Sequence, residues 1–402
     1  MQAFEYCCPT KIICGKDSLK KLSDELHEQS IENPLVLTDT NLVKLGVVQH
    51  VLEVLDEANI PYTTFDNVPP DSSLEIVNAV VHVYETSQCD AFIALGGGSV
   101  IDTAKGAAAS LSCAGADLAS LQGSEILHND LPPLIAVPTT AGTGSEVTLV
   151  AVVADTATQT KLSYTSYKLV PDVAFLDPVL TQSLPAKLTA TTGMDALTHA
   201  IEAYTSIQKN PVSDAFAIGA IKLINANIFT ACANPSDEEA RTALALGSLM
   251  AGAAFSNAMV GIVHALGHSL GGLCHVPHGQ AMMILLPYCV DYNVKQGNHQ
   301  GLYGELLQIM DPIRHAATKP SARDAAFAQL LHETNARFKT EYQVPTNLSE
   351  VKVEHDQLEA VAAKARYDGS ALYNESEITL EIATSILEAA FGTIKTRDVT
   401  TQ

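Results

Sequence analysis

The stretch that decides the fold is AFIALGGGSVIDTAKGAAA, residues 91–109. A short apolar run enters three consecutive glycines and then a proline-free run of helix formers, which reads as a buried strand, a tight turn and a helix opening. Glycines at such a turn let the backbone approach a bulky anion, and the unpaired amides of the helix start are ready to meet phosphate oxygens. Ser99 stands where it can cap this helix, and Asp102, three residues on, takes the acidic slot of a capping box. The turn is not GxGxxG, so a purely structural turn stands beside the phosphate-binding reading.

Working outward, PLVLTD (34–39) reads as a buried strand, LVKLGVVQHVLEVLDEANI (42–60) as a helix and PYTTFDNV (61–68) as a strand. SLEIVNAVVHVYETSQC (73–89) reads as a helix and PPLIAVPTT (132–140) as a further strand. Strands alternating with helices predict a parallel, doubly wound, Rossmann-like α/β domain. After DVAFLDPVLTQSLP (172–185) the strand signals fade and Ala-rich helical patterns run almost to the end. The proline-punctuated stretch 178–185 therefore predicts an α/β domain over 1–183 and an all-α domain over 184–402. No solenoid repeat occurs, and 313–402 carries no motif tied to chemistry.

A second glycine element, VPTTAGTGSEVT (137–148), ends a strand in hydroxyls. Thr139, Thr140, Thr143 and Ser145 offer neutral hydrogen bonds to a pyrophosphate or sugar. No Lys or Arg lies between Lys105 and Lys161, so a phosphate bound here must rely on backbone amides and helix dipoles, which suits an internal diphosphate. Asp39 closes the first clear strand, where a carboxylate accepts from a ribose hydroxyl and repels a 2′-phosphate. A plain helix N-cap explains the same residue equally well.

In the helical part, GMDALTHAIEAY (193–204) places Asp195 and His199 four apart on one helix face, and GIVHALGHSLGG (261–272) does the same with His264 and His268. HVPHGQAM follows with His275 and His278. Four of the 13 histidines fall within residues 264–278, beside an uncharged apolar stretch. Buried imidazoles need partners, and either carbonyls or a divalent cation supply them. Three His nitrogens and one carboxylate suit Fe2+ or Zn2+ better than Mg2+ or Ca2+. The remaining histidines read as surface or ordinary core.

The chain has 47% hydrophobic and 17% charged residues and a net charge of −22, which marks a compact protein and argues against nucleic-acid partners. Eight cysteines without a CxxC pair, and an N-terminus lacking the pattern of a signal peptide, predict a cytoplasmic setting. Residues 242–263 carry no charge, yet their Ala, Gly, Ser and Met content predicts a buried helix, and no membrane association is expected.

GGGSVIDTAK, VPTTAGTGSEVT, DVAFLDPVLTQSLP, TGMDALTHAIEAYTS, AFSNAMVGIVHALGHSLGG and PHGQAMMILLPYCVDYN, in this order, resemble the iron-containing (group III) alcohol dehydrogenase family. The resemblance runs from residue 9 to about residue 293. It implies the dehydroquinate synthase-like two-domain architecture and NAD(P)-dependent interconversion of a small primary alcohol or diol with its aldehyde. It also implies a metal, Fe2+ or alternatively Zn2+, on Asp195, His199, His264 and His278, with His268 near the metal and substrate without being a required ligand, where an imidazole is expected to relay the alcohol proton to solvent. Cofactor contacts carry over to Asp39, Gly97, Gly98, Ser99, Thr139, Thr140 and, less closely, Lys161; Asp102 of the glycine turn is a further candidate cofactor residue, and Asp39 favours NAD over NADP. Cys14 and His275 depart from the family pattern without touching a ligand position. A dehydroquinate synthase-like reaction needs cations around a phosphorylated acid, but residues 191–310 hold only Lys209, Lys222, Arg241 and Lys295. A glycerol dehydrogenase-like enzyme is the nearer alternative. Family precedent suggests a homodimer, and residues 4–13 are placed to offer an edge strand.

Overall fold

A computed structural model of the chain describes residues 3–113, 118–157, 160–299 and 301–392. The chain runs through β1 (Lys11–Cys14), α1 (Leu22–Glu28), β2 (Pro34–Leu37), α2 (Thr40–Lys44), α3 (Gln49–Glu57), β3 (Thr63–Phe65), α4 (Leu74–Thr86), β4 (Ala91–Gly96) and α5 (Gly98–Ser112). Then follow β5 (Gly123–Ser124), β6 (Leu134–Pro138), β7 (Val150–Asp155), β8 (Thr160–Thr165) and β9 (Val173–Leu176). Strands β1, β9, β6, β4, β2 and β3, in that order, form one parallel sheet. Its inner strands are buried throughout because both faces are covered. Phe92 and Ala94 pack on one side with Val77 and Val80 of α4 and Ala104 and Ala108 of α5. The alternate residues Ile93 and Leu95 pack on the other with Leu22 and Leu26 of α1 and Val51 and Leu55 of α3.

Three local expectations change. The helix expected over 42–60 is two helices, because Gly46 adopts φ +73° between them. The strand expected over 61–68 shortens to three residues at the sheet edge, between Pro61 and the turn-forming Asp66–Asn67. A second sheet, unforeseen in the sequence, joins β7 antiparallel to β8, with β5 parallel to β8.

Beyond β9 the elements are helical: α6 (Ala186–Thr205), α7 (Pro211–Ala233), α8 (Glu238–Ala258), α9 (Ile262–Cys274), α10 (His278–Gln296), α11 (Leu302–Met310), α12 (Pro312–Ala317), α13 (Arg323–Tyr342), α14 (Leu358–Ala365) and α15 (Leu380–Phe391). The α/β portion is thus followed by an all-helical one. By packing, the chain divides into compact units at Met1–Met259 and Val260–Gln402. Helices α6 to α8 belong to the first because they pack on one another, and because Ala245, Leu249 and Ala253 of α8 pack on Val147 and on Leu176 of β9. The uncharged stretch 242–263 is not one helix. It breaks after Ala258, where Met259 takes φ +64°, and α9 begins at Ile262. Helix α7 is long and apolar enough to cross a membrane by length and composition, and it packs against α6 and α8. In the second unit, α13 packs on α10 and α11, and α14 packs on α9 and α15.

Candidate active site

The parallel sheet turns its C-terminal strand ends toward one set of loops. Leu37 of β2 pairs with Ala94 of β4, and Gly96 of β4 with Pro138 of β6, so Asp39, Gly97 and Thr139 follow three adjacent strand ends. Chain order places β3 outside β2 and then returns to β4 on its other side, and this reversal of direction is where open α/β sheets bind their ligands.

Close packing of the loops explains the glycines. A Cβ on Gly97 would lie 3.3 Å from the Thr140 hydroxyl, and one on Gly98 would lie 2.8 Å from the Thr143 methyl. Gly144, at φ +62°, lies against Gly252 of α8, where its Cβ would meet the Gly252 Cα at 2.6 Å. Thr139 is buried, and its N–H donates to the Gly96 carbonyl at 3.0 Å. Gly97 is the N-cap of α5, so its amide and those after it open toward the loop side.

Two expected caps are corrected. Ser99 sits inside α5 rather than at its cap, and its hydroxyl accepts from the Asp71 N–H at 3.2 Å. Asp102 closes no capping box. Its carboxylate accepts from the Ser145 hydroxyl at 2.6 Å and the Val152 N–H at 3.0 Å, fastening α5 to the second glycine loop and to β7. Burial pushes the Asp102 carboxyl above its ordinary range. Lys105 lies fully buried beneath, donating to the Thr148 carbonyl and hydroxyl and the Val150 carbonyl, and burial brings its ammonium down to about 8. Buried Glu146 is pushed up by the same desolvation to about 7. Asp39 is an N-cap: one carboxylate oxygen accepts from the amides of Asn41 and Leu42 at 2.7 and 3.1 Å. The other oxygen makes neither bond, so the cap is compatible with a ribose contact. Lys161 of β8 pairs with Asp71 at 2.6 Å and so reaches the same loop cluster through the Asp71–Ser99 bond.

The second constellation is made of side chains. Asp195 and His199 are buried on α6, with Oδ1 and Nδ1 3.8 Å apart, and the Phe255 ring stacks on His199 at 4.3 Å between centroids. His264 lies in the first turn of α9, and His278 is the first residue of α10. One ligand atom from each of Asp195, His199, His264 and His278 lies within 4.8 Å of the others. Its three nitrogens and one oxygen are the donor set that fits Fe2+ or Zn2+. His268 is outside the group, yet its ring lies 5.7 Å from His264 and 5.6 Å from His278. His275 is the exposed left-handed C-cap of α9, at φ +54°.

The model of the iron-containing alcohol dehydrogenase family matches residues 9–178, and that of the family's C-terminal region matches 189–391. The chain belongs to the iron-containing alcohol dehydrogenase family. Among its relatives, 1,3-propanediol dehydrogenase of Citrobacter freundii is 36% identical over 390 residues, covering 96% of this chain and 99% of the relative. A crystal structure of 1,3-propanediol oxidoreductase superposes with a TM-score of 0.91 at 36% identity, covering 97% of this chain and all of that one. Sulfoacetaldehyde reductase from Bifidobacterium kashiwanohense, solved in complex with NAD+, gives 0.85 at 28% identity, covering 98% of this chain and all of that one.

In this iron-containing alcohol dehydrogenase, sequence reading missed three residues. Asp368 lies 100 residues from the histidine motif in sequence, yet its carboxylate lies 3.0 Å from His268 Nδ1. Phe255 was hidden in an apolar run that has no signal of its own. Asp71 was one acid in a turn, and only its bonds to Ser99 and Lys161 mark it.

Proposed function

We propose that the chain oxidises a small primary alcohol or diol to its aldehyde, and reduces the aldehyde in reverse, with NAD and a divalent iron. The observation that carries this reading is the convergence of Asp195, His199, His264 and His278, in a member of a family named for iron. When bound, the iron supplies Lewis acidity toward the substrate oxygen and NAD supplies the hydride acceptor. The chain's residues supply placement. Asp195, His199, His264 and His278 hold the ion, and the Phe255 ring fixes the His199 plane and keeps water from that face. His268 takes the alcohol proton and passes it outward. Gly97, Gly98, Ser99, Thr139 and Thr140 receive the diphosphate through amides and hydroxyls, with Asp102 holding their loops, while Asp39 and Lys161 address the sugars. Residues 1–183 carry the dinucleotide and 184–402 the metal in this reading. NAD is favoured over NADP because the carboxylate of Asp39 repels a 2′-phosphate. The similarity to 1,3-propanediol dehydrogenase supports a short diol among the substrates.

A cytoplasmic homodimer is part of the proposal. Eight free thiols support a reducing compartment, and β1, an edge strand of the sheet, supports pairing with a second copy. The test is a panel of ethanol, butanol, 1,3-propanediol and lactaldehyde on iron-loaded, zinc-loaded and chelator-treated protein, with NAD+ and NADP+. Turnover with a short alcohol or diol that requires metal and prefers NAD+ is expected. Full activity after metal removal overturns the metal's role.

A further inference from the structure

Three histidine rings, His264, His268 and His278, lie mutually 5.5 to 5.7 Å apart, but only two of them join Asp195 and His199 in the four-ligand group. What sets His268 apart is a hydrogen bond 100 residues away in sequence: its Nδ1 is 3.0 Å from Oδ2 of Asp368. Asp368 follows α14 and is itself fixed, because its Oδ1 accepts from the Ser370 N–H at 2.9 Å and caps the short turn Gly369–Tyr373. Both carboxylate oxygens are thus engaged, one by the Ser370 N–H and the other by His268 Nδ1. An ionised carboxylate has no proton to give and acts only as an acceptor.

We propose that Asp368 is the positioning residue of His268: it holds the neutral ring as the Nδ1–H tautomer, outside the metal's ligand set, and so leaves Nε2 as the proton acceptor. The inference rests on the metal reading above and adds to it the reason one of three clustered histidines is kept for proton transfer. Tautomer control by the partner of the other ring nitrogen is the general device by which histidines are assigned such roles. The same bond restrains the ring from turning toward the four-residue group that would hold the metal.

The experiment uses full-length, zinc-loaded protein labelled with 15N-histidine. The His268 signals are assigned by their loss in His268→Gln, and long-range 1H–15N spectra report which ring nitrogen carries hydrogen. We expect a protonated Nδ1 and a bare Nε2. In Asp368→Ser the cap on Ser370 is retained by a good capping residue, but the side chain is too short to reach His268. That variant is expected to shift toward the Nε2–H form, with kcat about 10- to 100-fold lower and KM for NAD+ unchanged, as for other outer-shell partners. An Nε2–H wild type, or a wild-type spectrum in Asp368→Ser, overturns the proposal, and the first outcome stands whether or not Asp368→Ser folds. Loss of zinc on desalting, or undiminished kcat in His268→Gln, instead overturns the underlying reading of the site, so the two failures are distinguishable.

Discussion

The glycine loops and the histidine cluster, the two parts of the proposed site, are built in opposite ways. At the loops, the site is prepared by side chains that are missing: Gly97 and Gly98 leave room for the Thr140 and Thr143 side chains, and Gly144 lets its backbone lie against that of Gly252. At the cluster it is prepared by side chains that are present and buried, with Asp195, His199 and His264 almost fully enclosed. A loop of the first kind tolerates no added atoms, and a cluster of the second kind tolerates no removed ones.

The comparison breaks most visibly at the cluster. His264→Ala or His278→Ala removes one of the four proposed ligands, and metal content and turnover are expected to fall together, turnover by on the order of 10³-fold. Metal analysis beside the rate assay checks this. Retained metal with lost turnover would assign the residue to substrate rather than to the ion.

The next effect concerns stability beneath the loops. Glu146 rises from an ordinary 4.5 to about 7 because it is buried. Between these values the folded chain binds a proton that the unfolded chain has released, so this contribution to stability falls as pH rises through that window. Lys105, at about 8, is protonated in both states there and adds no slope of its own. Glu146→Gln should therefore stabilise the protein more at pH 7 than at pH 5, by about 2 kcal/mol. Urea unfolding at the two pH values measures it. An equal shift at both would show that Glu146 is ionised throughout.

How much was legible in the sequence follows the same division. The sheet was readable because β2, β4 and β6 are buried on both faces and are therefore continuous apolar runs. The β7–β8 hairpin was not, since its residues alternate only partly and neighbour a glycine loop. Asp195, His199 and His264 were readable because helical spacing places residues on one face. Asp368 was not, because its contact is made by tertiary packing across 100 residues. Ser99 and Asp102 were misread as caps: the capping pattern was local, while the actual partners, Asp71, Ser145 and Val152, arrive from other elements.

Adding a methyl tests the loops as removing a ring tests the cluster. In an isolated helix, Gly252→Ala would gain about 1 kcal/mol from propensity. Here its Cβ would lie 2.8 Å from the Gly144 carbonyl oxygen and 2.9 Å from the Gly144 Cα, both backbone atoms that cannot rotate away. Overpacking of this kind costs about 1 to 3 kcal/mol, so a net destabilisation of about 1 to 2 kcal/mol is expected, together with weaker NAD+ binding. A raised melting temperature would mean that loop and helix separate without cost.

The smallest effect separates the two readings of Asp39. As a cap, it is replaceable by glycine at a few tenths of a kcal/mol, because a glycine N-cap leaves the helix amides open to water. As a ribose partner, its carboxylate excludes a 2′-phosphate, and its loss should raise kcat/KM for NADP+ relative to NAD+ by about five- to tenfold, roughly 1 kcal/mol. The two roles use different oxygens, since both cap bonds from Asn41 and Leu42 end on the same one. Asp39→Gly should therefore change the cofactor ratio with little change in stability. Asp39→Asn, which keeps an accepting oxygen for the cap and loses the charge, should move the ratio in the same direction. A ratio unmoved in both variants would leave Asp39 a cap alone and shift the sugar contact to the Lys161 side of the loop cluster.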